Sequence, residues 1–432
     1  MCGVAEDLTA VKAGGTGIRD GSATMPTIRQ EPRQMHSECD HRIKPTRPGG
    51  WGIGIFLGVS RQRVRRAVLM LHLTLGLAVG ALLALTALTG SLLVFYVDID
   101  RVLTPELVVP AGHGEALPLD RVVQALREAH PTRSGGWRLE IPHGPDHPIM
   151  ARYMKPQETA GKSFAPLMVA VSPYSGEVLS SRFWGRTAMT WVYDLHYLLL
   201  AGDSGRTVLT LGGIGSLLVL ASGVYLWWPA AGKWGRALRP RLRSGFVRQV
   251  FDIHVLAGVY GLVVLLPLIV TGVVMEQPEW VKPVVERLSP VTAAPAIAPA
   301  QGGTAVGADA ALAAALARFP QAEPRWVEVP GQGGGAYHIR LFQAGEPGWR
   351  FPKTSVWVNG GDGTILDLRD PTRWTAGDAF FGWQHPLHNG ECFGLCCRIL
   401  VAVAGLLPAL LLATGVVRWR QKKATRPARA GR

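Results

Sequence analysis

Four histidines, two in each half of the chain, are spaced in a way that suits metal binding. Each half has one histidine six residues after an arginine and another ten residues before a second arginine. The matched sets are His72 with Arg66 and His254 with Arg248 at six residues, and His196 with Arg206 and His388 with Arg398 at ten residues. Because the halves repeat one another, we expect His72 to face His254 and His196 to face His388.

Facing histidine pairs suit heme iron. Two neutral imidazoles fill both axial positions of the iron and leave no open site, which favours electron transfer over oxygen chemistry. The chain has no CxxCH motif, so the pattern predicts two noncovalent, b-type hemes. Zinc is the main alternative, but it usually takes four ligands, and Asp252 is the one further His, Cys or acidic residue within ten positions of His72 or His254 in the sequence. A polar residue bonded to a backbone carbonyl is the simplest alternative for each histidine.

Two glycines and two arginines are further candidates for these sites. Gly90 and Gly272 each follow the first histidine of their half by 18 residues, which is five helical turns or roughly 27 Å. At that level they would let the outer porphyrin approach the backbone, although small residues also serve plain helix packing. Arg206 and Arg398 are expected to pair with heme propionates, or else to anchor their helices at the interface.

Histidine and cysteine residues beside His388 have no clear assignment. His385 has no counterpart in the first half, so it is either an alternative ligand or a group that supports one. Cys392, Cys396 and Cys397 are either small apolar filler or, for Cys392 with Cys396, a disulfide in an oxidising compartment.

The elements that must position these residues are membrane helices. The chain of 432 residues is 48% hydrophobic, and its apolar residues cluster in the runs 67–97, 207–228, 249–275 and 399–417. About 20 apolar residues cross a bilayer, so the sequence predicts four transmembrane helices rather than a soluble protein that buries them.

Basic residues predict the orientation. Residues 1–66, the loop 229–248 and the tail from Arg418 hold 24 of the 45 lysines and arginines. The positive-inside rule puts all three regions, and hence both termini, in the cytoplasm. The formal net charge of +14 is therefore explained by topology, and no nucleic-acid partner is predicted.

The two remaining long segments, 98–190 and 276–380, then lie outside. Each has a helical stretch, at 119–131 and 308–320, followed by a hairpin pattern. The hairpins are VAVSPYSGEVLSSRF at 169–183 and VWVNGGDGTILDLRD at 356–370. We therefore expect two small α+β domains, one in each of two parallel repeats related by an axis along the membrane normal.

The whole predicted order has nine parts. They are a disordered cytoplasmic arm 1–60, TM1 66–97, outer domain 98–190, interfacial segment plus TM2 191–228, basic loop 229–248, TM3 249–275, outer domain 276–380, interfacial segment plus TM4 381–419, and a cytoplasmic tail 420–432. The arm lacks the pattern of a signal peptide. The Gly-rich segment 331–338 is predicted to be a loop and no nucleotide site, so electrons must come from a partner or from quinol.

The histidine-bearing motifs resemble the PepSY-associated transmembrane family. The matching stretches are LHLTLGLAVGALLALTALTGSLLVF, DLHYLLLAGDSGR, DIHVLAGVYGLVVLLPLIVTG and PLHNGECFGLCCR. One departure is Cys396-Cys397, where relatives commonly have Pro-Gly. The resemblance implies PepSY-like outer domains and a bacterial inner-membrane di-heme protein that reduces ferric siderophores or other ferric chelates in the periplasm, with His72, His196, His254 and His388 as ligands.

Two alternatives to this function remain open at this stage. PepSY domains also suit a non-enzymatic regulatory or binding protein, and an accessory subunit of an iron uptake system is the second alternative. For the reductase we expect an iron-to-iron separation of roughly 15–25 Å. We also expect a cleft for the chelate between the two outer domains, on the pseudo-two-fold axis.

Overall fold

The computed structural model describes residues 60–109, 114–241, 244–293, 295–297 and 306–424. The predicted disordered arm lies almost entirely outside these residues, and so does the end of the tail. Within the described part, four helices are long and apolar enough to cross a membrane. The four spans are Arg61–Leu93, Gly202–Trp227, Phe246–Glu276 and Glu391–Ala424. The prediction of four spans is confirmed.

The helices of the two halves follow one another in the same order. In the first half they are α1 (Arg61–Leu93), α2 (Tyr96–Leu103), α3 (Leu119–Ala129), α4 (Ala188–Leu198) and α5 (Gly202–Trp227), with a short α6 (Trp234–Ala237) in the basic loop. In the second half they are α7 (Phe246–Glu276), α8 (Pro278–Glu286), α9 (Ala308–Arg318), α10 (Ala376–Asn389), α11 (Gly394–Ala404) and α12 (Leu407–Ala424).

The fourth span is broken, which the sequence did not predict. It consists of α11 and α12, and the break follows Gly405. A side chain at Gly405 would lie 2.7 Å from the carbonyl oxygen of Ala87 on α1. The Ser91 hydroxyl also donates to the carbonyl of Ala402 at 2.8 Å. The glycine therefore allows the span to bend against α1.

The four spans form a ring of neighbours. Helix α1 packs on α5 and α12, and α7 packs on the same two helices, so α1 and α7 are diagonally opposed. Glycines make these contacts close, as membrane helices require. Leu82 of α1 lies against Gly212, for example, and Leu407 of α12 lies against Gly261.

The two outer segments form one domain, so the prediction of two separate α+β domains is wrong. Eight strands make a single antiparallel sheet in the order β4-β3-β2-β1-β5-β6-β7-β8. The first-half strands are β1 (Trp137–Glu140), β2 (Ile149–Tyr153), β3 (Leu167–Val171) and β4 (Val178–Phe183). The second-half strands are β5 (Glu323–Val329), β6 (Ala336–Phe342), β7 (Thr354–Asn359) and β8 (Ile365–Arg369).

The halves join where β1 pairs with β5. Leu139 is opposite Val327, and Trp137 is opposite Val329. Each module alone would leave an exposed strand edge, and pairing the two edges satisfies their backbone hydrogen bonds. The expected cleft between two outer domains is therefore closed by this seam.

One face of the sheet carries α3 and α9, whose N-termini cap each other. Asp309 accepts hydrogen bonds from the backbone of Leu119 at 2.9 Å, and Asp120 accepts one from the backbone of Ala308 at 2.6 Å. The predicted outer helices and hairpins are confirmed. The opposite face is polar and is directed toward the ends of the spans, where Phe351 meets His385 of α10 at a ring distance of 5.0 Å.

Helices α4 and α10 link the sheet to the spans. Both begin with a capping box, from Thr187 with Thr190 in α4 and from Thr375 with Asp378 in α10. Gly390 ends α10 in the left-handed region, with φ of 79°. The turns at both ends fix how these short helices present His196 and His388 to the spans.

Candidate functional site

The structure brings the four histidines together in the expected pairs. The rings of His72 on α1 and His254 on α7 have centroids 6.3 Å apart and planes at 85°. The rings of His196 on α4 and His388 on α10 have centroids 6.1 Å apart and planes at 56°. We call these the inner pair and the outer pair.

Each imidazole is held through its Nδ1 atom by a hydroxyl on a neighbouring helix. Nδ1 of His72 lies 3.0 Å from the Ser222 hydroxyl of α5, and Nδ1 of His254 lies 2.9 Å from the Thr414 hydroxyl of α12. For the outer pair the partners are on α1 and α7. Nδ1 of His196 lies 3.1 Å from the Thr89 hydroxyl, and Nδ1 of His388 lies 3.0 Å from the Thr271 hydroxyl.

These hydroxyls determine which ring nitrogen carries the proton. Each one already donates its single hydrogen to a carbonyl of its own helix, as Thr414 does to Leu410 at 2.7 Å and Thr271 to Pro267 at 2.7 Å. Ser222 and Thr89 do the same. The hydroxyl oxygen can then only accept, so Nδ1–H donates to it and Nε2 keeps its lone pair. This is the tautomer of a histidine that binds a metal through Nε2.

Carbonyl groups support the same tautomer in one histidine of each pair. Nδ1 of His196 lies 2.8 Å from the Thr86 carbonyl, and Nδ1 of His72 lies 3.1 Å from the Val219 carbonyl. A carbonyl oxygen can only accept. In the outer pair, burial lowers the pKa of His196, and burial with the nearby His196 lowers the pKa of His388 to about 4. Both outer imidazoles are therefore neutral near pH 7.

A glycine lies beside each ring, directly after the residue with the hydroxyl. A Cβ atom at Gly90 would lie 2.9 Å from Cε1 of His196, and one at Gly272 would lie 3.2 Å from Cε1 of His388. Gly223 and Gly415 have the same relation to the inner rings, at 3.2 and 3.6 Å. Gly90 and Gly272 lie at the level of the outer pair, as the sequence predicted. In the structure the group that approaches each of them is the imidazole of His196 or His388.

The ring separations fit a metal ion held between two imidazoles. A ligating nitrogen lies about 2.0 Å from its metal and roughly 1.1 Å from the centre of its ring, so two imidazoles on opposite sides of one ion have centroids about 6.2 Å apart. The observed 6.3 and 6.1 Å agree with this value. The residues present therefore fit a bis-imidazole group such as heme iron.

Zinc is disfavoured by the ligands available. In the described part of the chain, no group of three or more His, Cys, Asp or Glu residues is arranged to hold a metal ion. A structural zinc ion usually needs four such ligands, whereas six-coordinate heme iron takes two from the protein.

Arg206 and Arg398 both bind protein groups at the ends of spans. Arg206 donates to the Glu276 carboxylate at 3.1 Å and to the carbonyl of the same residue at the end of α7. Arg398 donates to the carbonyl of Val94 at the end of α1, at 2.7 Å, and lies over the Phe95 ring. Both arginines thus cap the C-terminal ends of the spanning helices, where a positive charge is stabilising.

The remaining candidates near His388 lie on two sides of it. His385 is one turn further toward the sheet, with Nδ1 3.4 Å from the Asn389 amide. Burial, followed by the charges of Lys353, His388 and Arg350, lowers its pKa to about 3. Cys392, Cys396 and Cys397 are all free thiols, so the disulfide considered from the sequence is not formed.

The two pairs lie at well-separated levels. Residue 72 on α1 belongs to the inner pair, and Gly90 on the same helix touches the outer pair. Eighteen residues of helix correspond to roughly 27 Å along the axis. This is a distance along α1, and the iron-to-iron separation of roughly 15–25 Å stays a prediction.

The hydroxyl partners of the histidines have a signal in the sequence. A Ser-Gly or Thr-Gly dipeptide occurs at each contact, as Ser222-Gly223, Thr89-Gly90, Thr414-Gly415 and Thr271-Gly272. Sequence alone points only to Gly90 and Gly272, because nothing in the local sequence shows that the preceding hydroxyl reaches an imidazole on another helix. The contact becomes visible once the helices are packed.

Fold and site together describe a multi-pass membrane protein with an antiparallel α+β domain and two levels of paired histidines. The chain belongs to the family described as the PepSY-associated TM region, whose profile matches residues 69–422. The match includes all four histidines and most of the described residues. No curated protein sequence matches the chain significantly.

Proposed function

We propose that this protein is a di-heme b electron conduit of the bacterial inner membrane that reduces ferric chelates, such as ferric siderophores, in the periplasm. The observation that supports this most is the state of the four imidazoles. Each pair has the ring separation of a shared metal ion, and each Nδ1–H is used on a hydroxyl that leaves Nε2 free to bind.

Bound at each pair, heme would supply a reversible one-electron Fe(III)/Fe(II) centre without an open coordination site. The chain's own residues would do the rest. The hydroxyls of Ser222, Thr414, Thr89 and Thr271 hold the imidazoles in one orientation. The adjacent glycines leave room for the rings. Imidazoles held rigidly in this way would limit the rearrangement that accompanies a change in oxidation state.

The membrane topology supports transfer toward the sheet side. Basic residues are concentrated on the side opposite the sheet, which the positive-inside rule assigns to the cytoplasm. Both termini would then be cytoplasmic and the sheet domain periplasmic. A ferric chelate is too large and polar to enter the hydrocarbon, so it would accept electrons at the outer surface. The donor on the cytoplasmic side would be quinol or a partner protein.

An absorption spectrum of the purified full chain tests the cofactor. We expect two hemes per chain and, after reduction, the α-band of a b-type cytochrome with no high-spin component. A colourless protein that is correctly folded and fully loaded by independent criteria would refute the conduit. That result would favour a non-enzymatic PepSY regulatory protein or an accessory subunit of an iron uptake system.

Oriented vesicles test the direction. Reduced protein should be reoxidised rapidly by an impermeant ferric siderophore added on the side of the sheet domain. Rapid reoxidation from the opposite side, with none from the sheet side, would overturn the orientation. No reoxidation from either side, with both hemes present, would exclude ferric chelates as the acceptor.

A further inference from the structure

The two walls outward of the outer pair are different, although the histidines themselves are related by the repeat. On the wall beside His196 the side chains are aromatic. Tyr193, one turn outward, contacts Trp184 at a ring distance of 5.2 Å and Tyr96 at 6.1 Å. In the second half the position of Tyr193 is occupied by His385.

Basic and polar residues replace uncharged, mostly apolar ones at other matching positions of the second wall. The alignment of the two hairpins puts Arg350 at the position of Ser163 and Lys353 at that of Pro166. The alignment of the histidines puts Gln384 at the position of Val192. The repeat therefore preserves the metal-binding pattern and changes one wall from apolar to cationic.

The loop between β6 and β7 brings these cations to α10. Phe351 packs edge-on against His385 at 5.0 Å, and a Cβ atom at Gly348 would lie 2.8 Å from Pro386. The Arg350 guanidinium lies between the two walls, over the Phe351 ring at 5.4 Å and over the Tyr96 ring at 4.9 Å. His385 precedes His388 by one turn, or roughly 4.5 Å, so the loop meets α10 directly outward of the outer pair.

The cations of this wall are incompletely neutralised. Glu140 is the ion-pair partner of Arg350, at 3.7 Å, but it also binds Arg152 at 2.7 Å. Lys353 makes no side-chain hydrogen bond or ion pair within the part of the chain that the structure describes, and burial lowers its pKa. The carboxylates of Glu346 and Glu391 lie near it and partly offset that effect. A half-buried ammonium group that makes no direct ion pair is still costly, so an acceptor on a ligand would stabilise it.

Three further buried atoms lack hydrogen-bond partners at the same place. The Gln384 side chain is 7% exposed; its amide donates to the Phe380 carbonyl at 2.6 Å, while its own oxygen has no hydrogen-bond partner. Nε of Arg350 is also buried and makes no hydrogen bond, although it lies 3.7 Å from the Glu140 carboxylate, and Oε2 of Glu391 nearby has no hydrogen-bond partner. Since Glu346 and Glu391 both lie near Lys353 and would repel an anion, Lys353 and Arg350 must together outweigh them.

We propose that Lys353 and Arg350 form a carboxylate-binding site beside the outer pair, and that its occupant is a propionate of the outer heme. This inference rests on the proposed function. It replaces Arg206 and Arg398 in that role, because both are occupied by the ends of α7 and α1. A buried carboxylate needs charged partners, and this wall offers them on the loop that packs against His385, one turn before His388.

Reconstitution of the heme-free full chain with two porphyrins tests the site. Hemin carries free propionates, and hemin dimethyl ester carries none. We expect Lys353→Met to release the outer heme about tenfold faster than wild type with hemin, the size expected for one charge-assisted hydrogen bond. With the dimethyl ester the variant and wild type should be alike. The midpoint potential of the outer heme should also fall in Lys353→Met, because an unpaired propionate favours Fe(III).

Three controls make the result specific. Lys353→Arg keeps the charge and should behave like wild type. Lys155→Met removes an exposed lysine of the same domain and should have no effect. The inner heme is an internal reference, since misfolding would release both hemes.

The outcomes separate the possible errors. If wild type binds no heme, the proposed function fails. If wild type binds two hemes but Lys353→Met loses hemin and its ester at the same rate, the carboxylate site is wrong and the conduit stands. If heme is unaffected while the affinity for a carboxylate-bearing ferric chelate falls, the anion comes from the chelate, and the assignment to a propionate is overturned.

Discussion

The inner and outer pairs use the same contacts on different supports. In the inner pair, spans α1 and α7 supply the imidazoles, while α5 and α12 supply the hydroxyls and glycines. In the outer pair, α1 and α7 supply the hydroxyls and glycines, and the imidazoles come from α4 and α10, which lie outside the spans. Each of α1 and α7 therefore supports one level with a histidine and the other with a hydroxyl.

This difference shows which parts of the chain determine each level. The inner pair depends on the packing of the four spans alone. The outer pair also depends on the sheet domain, because capping boxes, a left-handed turn and the loop between β6 and β7 position α4 and α10. Changes in the sheet domain should therefore affect the outer level before the inner one.

Removal of an imidazole should have the largest effect and test the pairing directly. We expect His72→Ala to lose the inner heme and His388→Ala to lose the outer heme, each leaving one heme per chain by absorption. The planes at 85° in the inner pair and 56° in the outer pair should give different low-spin electron paramagnetic resonance signals, which identify the heme that remains. A stable His72→Ala protein that kept the inner signal and lost the outer one would contradict the pairing.

The glycines provide a sharper comparison, since one methyl group should matter at one level and not at the other. Gly90→Ala would put Cβ 2.9 Å from the His196 ring, too close for a real contact, whereas Gly415→Ala would put it an ordinary 3.6 Å from the His254 ring. We expect Gly90→Ala to displace the outer imidazole and give a high-spin or missing outer heme. Gly415→Ala should keep both hemes and gain up to about 1 kcal/mol in helix propensity. Equal effects of the two variants would refute the proposed contacts.

Local signals explain what could be predicted from the sequence. Apolar runs of sufficient length predicted the spans, and the equal spacing around His72 and His254 predicted that they share a level. The outer pair could be predicted in the same way, because its spacing to Arg206 and Arg398 also repeats. Each of these features depends on residues that are close in sequence.

Features that depend on distant residues could not be predicted. Nothing in WRLE at 137–140 shows that this strand pairs with residues 326–329. The sequence therefore predicts two outer domains where the structure has a single sheet. The break after Gly405 depends on Ala87 and Ser91, more than 300 residues earlier. Lys353 likewise acquires its proposed role because the loop that carries it packs on α10.

A pH experiment distinguishes the sheet domain from the bundle. Burial alone would raise the pKa of Glu328, but its hydrogen bond with His338 and the charges of Arg138 and Arg340 lower it to about 2. A carboxyl whose folded pKa is depressed stabilises the fold above its unfolded pKa and loses that contribution as the pH falls. The loss should occur between about pH 4.5, the ordinary value, and pH 2.

Glu328→Gln should therefore destabilise the sheet domain by about 2 kcal/mol at pH 7, and the difference from wild type should shrink below pH 4. Thermal unfolding followed by loss of each heme signal measures this, and the outer heme should be lost first. Glu323→Gln is the matched control, because the Glu323 side chain is 61% exposed in its pair with Arg325. A difference that persists unchanged at pH 2.5 would contradict the role assigned to the ionised carboxylate.

The smallest expected effect concerns the hydroxyl that holds His254. Thr414→Val keeps the shape of the side chain and removes the acceptor 2.9 Å from Nδ1. The imidazole then donates less strongly, its nitrogen becomes a weaker base toward Fe(III), and the midpoint potential of the inner heme should rise by at most roughly 40 mV, equivalent to about 1 kcal/mol for one electron. Thr414→Ser restores a hydroxyl and should restore the potential, while the outer heme serves as the reference in the same titration. Thr271→Val should act on the other heme, shifting the outer midpoint potential and leaving the inner one unchanged. If either variant moved both potentials equally, the hydroxyls would act through the stability of the bundle, and the assignment of one hydroxyl to each imidazole would be wrong.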